Sequence, residues 1–360
     1  MAVTEAMLKL AEMSGKRDSK AFHAILECVM TPEEAEFLLG LPAPYADLAA
    51  KYNISEAQVE ERIHGLATRG LVTASRKGYR YPRDPGTLHD NILASAPQFI
   101  PAEVPKLWME LYEGEEWWKE IAVNLGGIGD KILRVIPAMR SIPPDLKLLP
   151  VESAVDIIQA HKDLISVRRC CCRVGAQRCD HPLEVCIQFG KRAEYDLYRG
   201  SGRKISADEA IQIELMAEDA GLMPNVTNLN IMEALEYICC CCGCACMCMN
   251  PTLRYGNVND VLATSRFIVR VDNEKITAAD AEAARARCYF DAIDVQPVAG
   301  SKKPKVAINE EKCVGCGLCV PVCESGAITM ELIRPPEFIP ASIAGPAAIV
   351  HAAPPTEEKR

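Results

Sequence analysis

Eighteen of the 360 residues are cysteine, and their spacing is the first pointer to chemistry. Twelve fall between Cys170 and Cys248, and the stretch CCCCGCACMC from Cys239 to Cys248 puts seven into ten residues. A secreted disulfide scaffold would be shorter and would hold its cysteines apart, because sequence neighbours rarely pair with each other. Clustered thiols in a chain of this length point to metal, and thiolate-rich sites select zinc, copper(I) or iron-sulfur clusters.

The most specific spacing lies near the C-terminal end. EKCVGCGLCVPVCESGAI places Cys313, Cys316, Cys319 and Cys323 in the run C-x2-C-x2-C-x3-C, the bacterial ferredoxin spacing with Glu324 where a proline usually follows. A tight loop at Gly315 and Gly317 lets three thiolates converge on one four-iron cubane and turns backbone N–H groups toward its sulfurs, so the spacing favours a cubane over a zinc knuckle. In two-cluster ferredoxins the fourth cysteine of each run binds the other cluster. The preceding segment, VDNEKITAADAEAARARCYFDAI, reads as the first half of the same repeat, stripped of three cysteines and keeping only Cys288. The expected ligands of the remaining cubane are therefore Cys313, Cys316, Cys319 and Cys288, with Cys323 left as a small buried residue. A rearranged site with Cys323 as fourth ligand stays open.

Four consecutive cysteines cannot all reach one centre, because side chains of an extended chain alternate between faces. Two centres on either side of the segment resolve this. Eight of the twelve central thiols suffice for two four-iron clusters, and the surplus favours iron-sulfur over a pair of zincs.

The patterns C-x-C-R, C-D-x-P-x-E-x-C-x-x-F-G and I-C-x-C-C-G-C-x-C, followed by a ferredoxin module, resemble the cytoplasmic ferredoxin-type iron-sulfur proteins of anaerobic microbes over roughly residues 150–335, and more loosely at the start. The pattern falls on Cys170, Cys172 and Arg173, on Cys179, Asp180, Pro182, Glu184, Cys186, Phe189 and Gly190, and on Cys239, Cys241, Cys242, Gly243, Cys244 and Cys246. The chain departs from it at Cys171, Cys240 and Ala245. The resemblance implies central metal ligands among those matching cysteines, with Arg173 and Gly243 beside them, and electron transfer as the activity. Together with the thiol count it leads to an expectation of two central [4Fe-4S] clusters besides the C-terminal one.

Arg168, Arg169, Arg173 and Arg178 stand near the central cysteines in sequence. Cations close to an anionic cluster raise its potential; surface ion pairs are the alternative. His181, between Asp180 and Pro182, is read as a turn residue and not a ligand, and Cys28, in FHAILECVM, as core.

The elements that must carry these residues read as an α+β, multidomain chain. Residues 1–85 follow the order of a winged helix, with capping boxes at TPEE (Thr31–Glu34) and SEAQ (Ser55–Gln58), a helix from about Glu56 to Arg69 stopped by Gly70, and a hairpin around Lys77 and Gly78. Residues 86–164 read as helical, with Trp108, Leu111, Tyr112 and Ile121 on one apolar face for core or interdomain packing. Residues 165–262 form the cysteine-rich region, entered by the strand LISVRR and including the capped helix SADEAIQIELMAEDAG. Residues 263–335 form a ferredoxin-like module framed by the strands RFIVRVD, AIDVQPV, KVAIN and AITMEL, and residues 336–360 a Pro/Ala-rich tail. GGIGD (Gly126–Asp130) lacks both the preceding strand and the G-K-[ST] of a phosphate loop.

Net charge is -9 and the pI about 5.4, which does not invite nucleic acid. Residues 1–90 hold 11 Lys and Arg against 13 Asp and Glu, and the helix that would enter a major groove carries Glu56, Glu60 and Glu61. No apolar run reaches membrane-spanning length, and the charged N-terminal helix is not a secretory leader, so a cytoplasmic location is expected. With no catalytic triad or nucleotide fingerprint in view, the expected role is an electron-transfer protein or redox subunit working between a donor, such as a flavoprotein oxidoreductase, and an acceptor enzyme. The alternative is a redox-sensing winged-helix transcription regulator.

Overall fold

The structure is a computed structural model and describes residues 3–75, 77–126, 131, 133–255, 262–301 and 303–342. The GGIGD segment beyond Gly126 and the tail beyond residue 342 lie outside the described residues.

The chain opens with the helices Glu5–Met13, Lys20–Val29, Pro32–Leu39, Tyr45–Tyr52 and Glu56–Thr68. Thr4, Ser19, Thr31 and Ser55 each accept a first-turn N–H, and the boxes at Thr31/Glu34 and Ser55/Gln58 close in both directions. Strands β1 (Thr73–Ser75) and β2 (Gly78–Arg80) then pair antiparallel. Phe22, Ile25, Phe37, Leu38, Ile63 and Leu66 form the core of this part, and Trp108, Leu111 and Tyr112 from the following helical stretch are buried in it. Cys28 is exposed, contrary to its expected core position. Its helix turns Phe22, Ile25, Leu26 and Val29 inward, and at about 100° per residue position 28 lies outside that arc.

The central feature is a six-stranded antiparallel sheet. Its strands are β3 (Leu133–Val135), β4 (Ile165–Arg169), β5 (Glu184–Phe189), β6 (Gly202–Ile205), β7 (Met223–Thr227) and β8 (Tyr237–Cys241), in the order β3-β7-β8-β5-β4-β6. β3 comes from the stretch that reads as helical in the sequence. The helices Ala154–Ala160 and Ala207–Asp219 cover one face through Ile157, Ile158, Ala210 and Ile213. Ser206 accepts the N–H of Glu209, but the Glu209 side chain goes to Arg203, so only half of a capping box forms there. On the other side, Tyr195 Oη donates to the Val72 carbonyl and Arg199 to the Asn91 carbonyl, which ties the sheet to the N-terminal helices.

The C-terminal part holds two antiparallel pairs. β9 (Phe267–Val271) pairs with β12 (Ile328–Leu332), and β10 (Ile293–Gln296) with β11 (Lys305–Ile308). The helix Ala278–Arg287 packs Ala281 and Ala284 under β9 and β12. A buried pair, Arg266 Nη1 to Glu152 Oε2 at 2.8 Å, fastens this part to the turn before Ala154–Ala160. Among the described residues no helix is long and apolar enough to cross a membrane.

Glu214, fully buried under the sheet, accepts from the Cys240 thiol at 3.1 Å. Burial, with the Glu218 carboxyl one turn away, pushes its pKa from near 4.5 up to about 8. The folded chain therefore keeps a proton that the unfolded chain has released, and stability falls as pH rises between those two values. Glu214→Gln removes that dependence: its anaerobic melting temperature should fall less than that of the wild type between pH 6 and pH 8.5. Parallel curves would contradict this.

Candidate metal centres

The C-terminal centre is built on a loop and the end of a helix. Cys313, Cys316 and Cys319 follow β11, and Cys288 caps the C-terminal end of Ala278–Arg287. The four thiols line one small cavity with Val269, Phe290, Ala292 and Ile293. They feel one another through charge, and among the described residues no sulfur–sulfur hydrogen bond joins them. Burial pushes Cys316 up to about 12 and raises Cys313 and Cys319 as well, so these three become thiolates only when a cation takes the proton's place. Gly315 and Gly317 sit at φ +67° and +74°, and a Cβ at either would run into Phe267 and Ser265 or into Ser141. Cys323 does not line this cavity; it packs beneath β9 and β12 with its Sγ 3.5 Å from Ser325 Oγ.

The central cysteines divide by strand geometry. Register places Cys186 of β5 opposite Cys239 of β8, and alternation puts Cys241 on the same face. Cys170 directly follows β4, with its N–H held by the Leu183 carbonyl at 2.8 Å, and Cys172 lies on the short helix Cys171–Ala176 that comes next. With Cys246 and Cys248 from the turn after β8, these thiols line a cavity of about 1180 Å³ between the sheet and the N-terminal helices. The Cys172 thiol neighbours Cys170 and Cys246, and the Cys241 and Cys248 thiols neighbour Cys246. They hold Cys170 and Cys246 below the usual thiol range. The hydrogen bond from Cys239, with the Arg168 guanidinium beside it, brings Cys186 down to about 6.

The other face carries a second group. Cys240 points to Glu214, and Cys242 Sγ stands 3.9 Å from Cys179 Sγ. The donor atoms of Cys179, His181 and Cys244 lie within 4.8 Å of one another. Gly243 lets Tyr289 lie flat against this turn. Sequence reasoning set His181 aside; its approach to Cys244, 63 residues away, depends on a tertiary contact no local pattern encodes.

The four nearby arginines part company. Arg178 forms an ion pair with Glu113 at 2.5 Å at the surface, and Arg168 a buried one with Asp196 at 3.3 Å. Arg173 is buried between the two sulfur groups: its Nη1 donates to the Cys240 carbonyl at 3.0 Å and lies 3.9 Å from Cys242 Sγ. Its Nε and Nη2 have no partner, and neither does Arg169 Nη1, among the described residues. Unpaired buried donors beside a cavity lined with thiols fit an anionic cluster with acceptor sulfides. His89, Asp90 and Cys171 form a further small group, with Asp90 Oδ1 3.0 Å from His89 Nδ1 and 3.1 Å from Cys171 Sγ. Nothing in the local sequence around His89 marks it.

Residues 306–329 match the family model described as 4Fe-4S binding domain, a stretch that includes Cys313, Cys316, Cys319 and Cys323. No curated protein and no solved structure matches the chain. The chain thus carries an iron-sulfur domain of the 4Fe-4S type at its C-terminal end, which supports a four-iron cluster there.

Two substitutions test the scaffolding of these centres. Pro224, opposite Cys240 across β7 and β8, has no N–H to offer, so Arg173→Ala leaves the Cys240 carbonyl without its donor. A loss of about 1–3 kcal/mol in urea melts is expected. Gly315→Ala forces a side chain into the Phe267 carbonyl from a left-handed backbone; it should lower both the melting temperature and the iron content. Wild-type values for either variant would contradict the placement.

Proposed function

We propose that the chain is an electron-transfer protein or redox subunit that passes single electrons between a donor and an acceptor enzyme through [4Fe-4S] clusters. The observation that carries this reading is the convergence on one small cavity of four thiols, Cys313, Cys316 and Cys319 from the matched domain and Cys288 from the segment before it. These four are the ligands we assign to the C-terminal cubane, and Cys323 is left out. When bound, such a cluster takes up and releases one electron with little change in geometry.

We place the further cluster chemistry of the central region on the cavity-lining thiols Cys170, Cys172, Cys186, Cys239, Cys241 and Cys246. An apolar cluster that includes Phe290, Val314, Leu318, Met249 and Leu262 packs against Cys288 and Cys316 on one side and Cys239 and Cys248 on the other. It supplies a dry, fixed path between the two sulfur sites. Arg168 and Arg173 offset thiolate charge next to the central cavity and favour the reduced state.

A redox protein, for which a flavoprotein oxidoreductase is our expectation, serves as partner, in the cytoplasm of an anaerobe. The regulator reading finds less support. In the winged-helix reading of the N-terminal part, Arg69 of the helix Glu56–Thr68 and its cap pairs with Glu34, Arg62 stacks on Phe37, and His64 bonds the Tyr198 carbonyl. Arg69 and Arg62 are thus engaged within the fold and are not free to meet phosphate.

Anaerobically purified Cys288→Ser and Cys323→Ala variants separate the ligand sets. The first should lose the C-terminal cluster's iron and sulfide and the corresponding EPR signal of the reduced protein; the second should retain them. The reverse pattern would move the fourth ligand to Cys323, and a wild type that takes no electron from dithionite would reject electron transfer.

A further inference from the structure

We propose that Cys179, His181, Cys242 and Cys244 hold a single tetrahedral zinc ion, a centre separate in kind from the clusters of the cavity and the C-terminal domain. Three observations carry this. The Cys179 and Cys242 sulfurs are 3.9 Å apart. Two thiolates on one tetrahedral ion, each at about 2.3 Å, stand about 3.8 Å apart. Cys244 and His181 close the group, with their donor atoms and that of Cys179 all within 4.8 Å of one another.

The second observation is space. Seven central thiols open onto the large cavity, but Cys179, Cys242 and Cys244 line neither it nor the C-terminal cavity.

The third is the donor set itself. Three thiols and one imidazole make the closed Cys3His arrangement of a structural zinc site, and they come from two short turns. Cys179 and His181 precede β5, and Cys242 and Cys244 follow β8, the strand paired with it. Zinc with three thiolates carries one net negative charge, and the buried Arg173 guanidinium stands 3.9 Å from Cys242 Sγ to balance it. The ion pins the turn between Arg178 and Leu183 to the end of β8. That turn leads straight into β5, whose Cys186 faces the cavity, so zinc holds the wall of the cluster pocket in register.

This centre does not depend on the electron-transfer reading, because zinc and acid-labile sulfide report on the two separately. The test is elemental analysis of the anaerobically purified full chain, with zinc-edge X-ray absorption. One zinc per chain with a shell of three sulfurs and one nitrogen is expected. His181→Cys should keep the zinc and convert the shell to four sulfurs. Cys244→Ser should lower zinc while sulfide stays at the wild-type level. The proposal is overturned if the chain contains no zinc, if iron without sulfide occupies these residues, or if Cys179→Ser and Cys244→Ser remove iron and sulfide together. Should Cys244→Ser fail to fold, the shell change in His181→Cys decides.

Discussion

Side chains on a strand alternate between its faces, and in β8 that rule is applied to cysteine. Tyr237–Cys241 and the residue after it send Cys239 and Cys241 to one side of the sheet and Cys240 and Cys242 to the other. Everything about the central sulfur chemistry follows from this division. One face meets Cys186 across the β5 pairing and Cys170 from the end of β4; the other meets Cys179 and the Gly243 turn. A slip of one residue in the β5–β8 register would exchange the two sets.

A sheet that displays thiols on one face must be kept from collapsing onto itself, and buried polar groups do this. Arg168 with Asp196, Arg199 with Asn91, and Tyr195 with Val72 join the sheet and the helix Gly190–Arg199 to the N-terminal helices, which roof the large cavity. Arg266 with Glu152 does the same for the C-terminal part. A buried charge left without its partner is costly, so each pair also fixes which surfaces meet. The N-terminal helices thereby roof the large thiol-lined cavity.

The parts of the molecule legible in the sequence are those written in local spacing. Cys313, Cys316 and Cys319 announce a cubane because three thiolates on one cage need a fixed short loop, and the Thr31 and Ser55 boxes announce helices for the same local reason. The expectation of a degenerate repeat around Cys288 rests on flanking residues, VDNEK and CYFDAI, that parallel INEEK and CESGAI. The six-stranded sheet was not, since β5 and β8 are ligand segments whose cysteines mask a strand pattern, and since β3 joins β7 from about ninety residues away. Cys28 was misread because apolar neighbours hid the helical phase. His181 and His89 were missed because their partners Cys244 and Cys171 are brought close only by tertiary packing.

The account rests on thiolates gripping inorganic iron. Its most direct test is a count of iron and acid-labile sulfide on the natively folded chain purified without oxygen. The account requires at least four of each per chain in equal amounts, with a brown protein that bleaches on reduction. A colourless chain that is folded, melts cooperatively and contains no sulfide would contradict it.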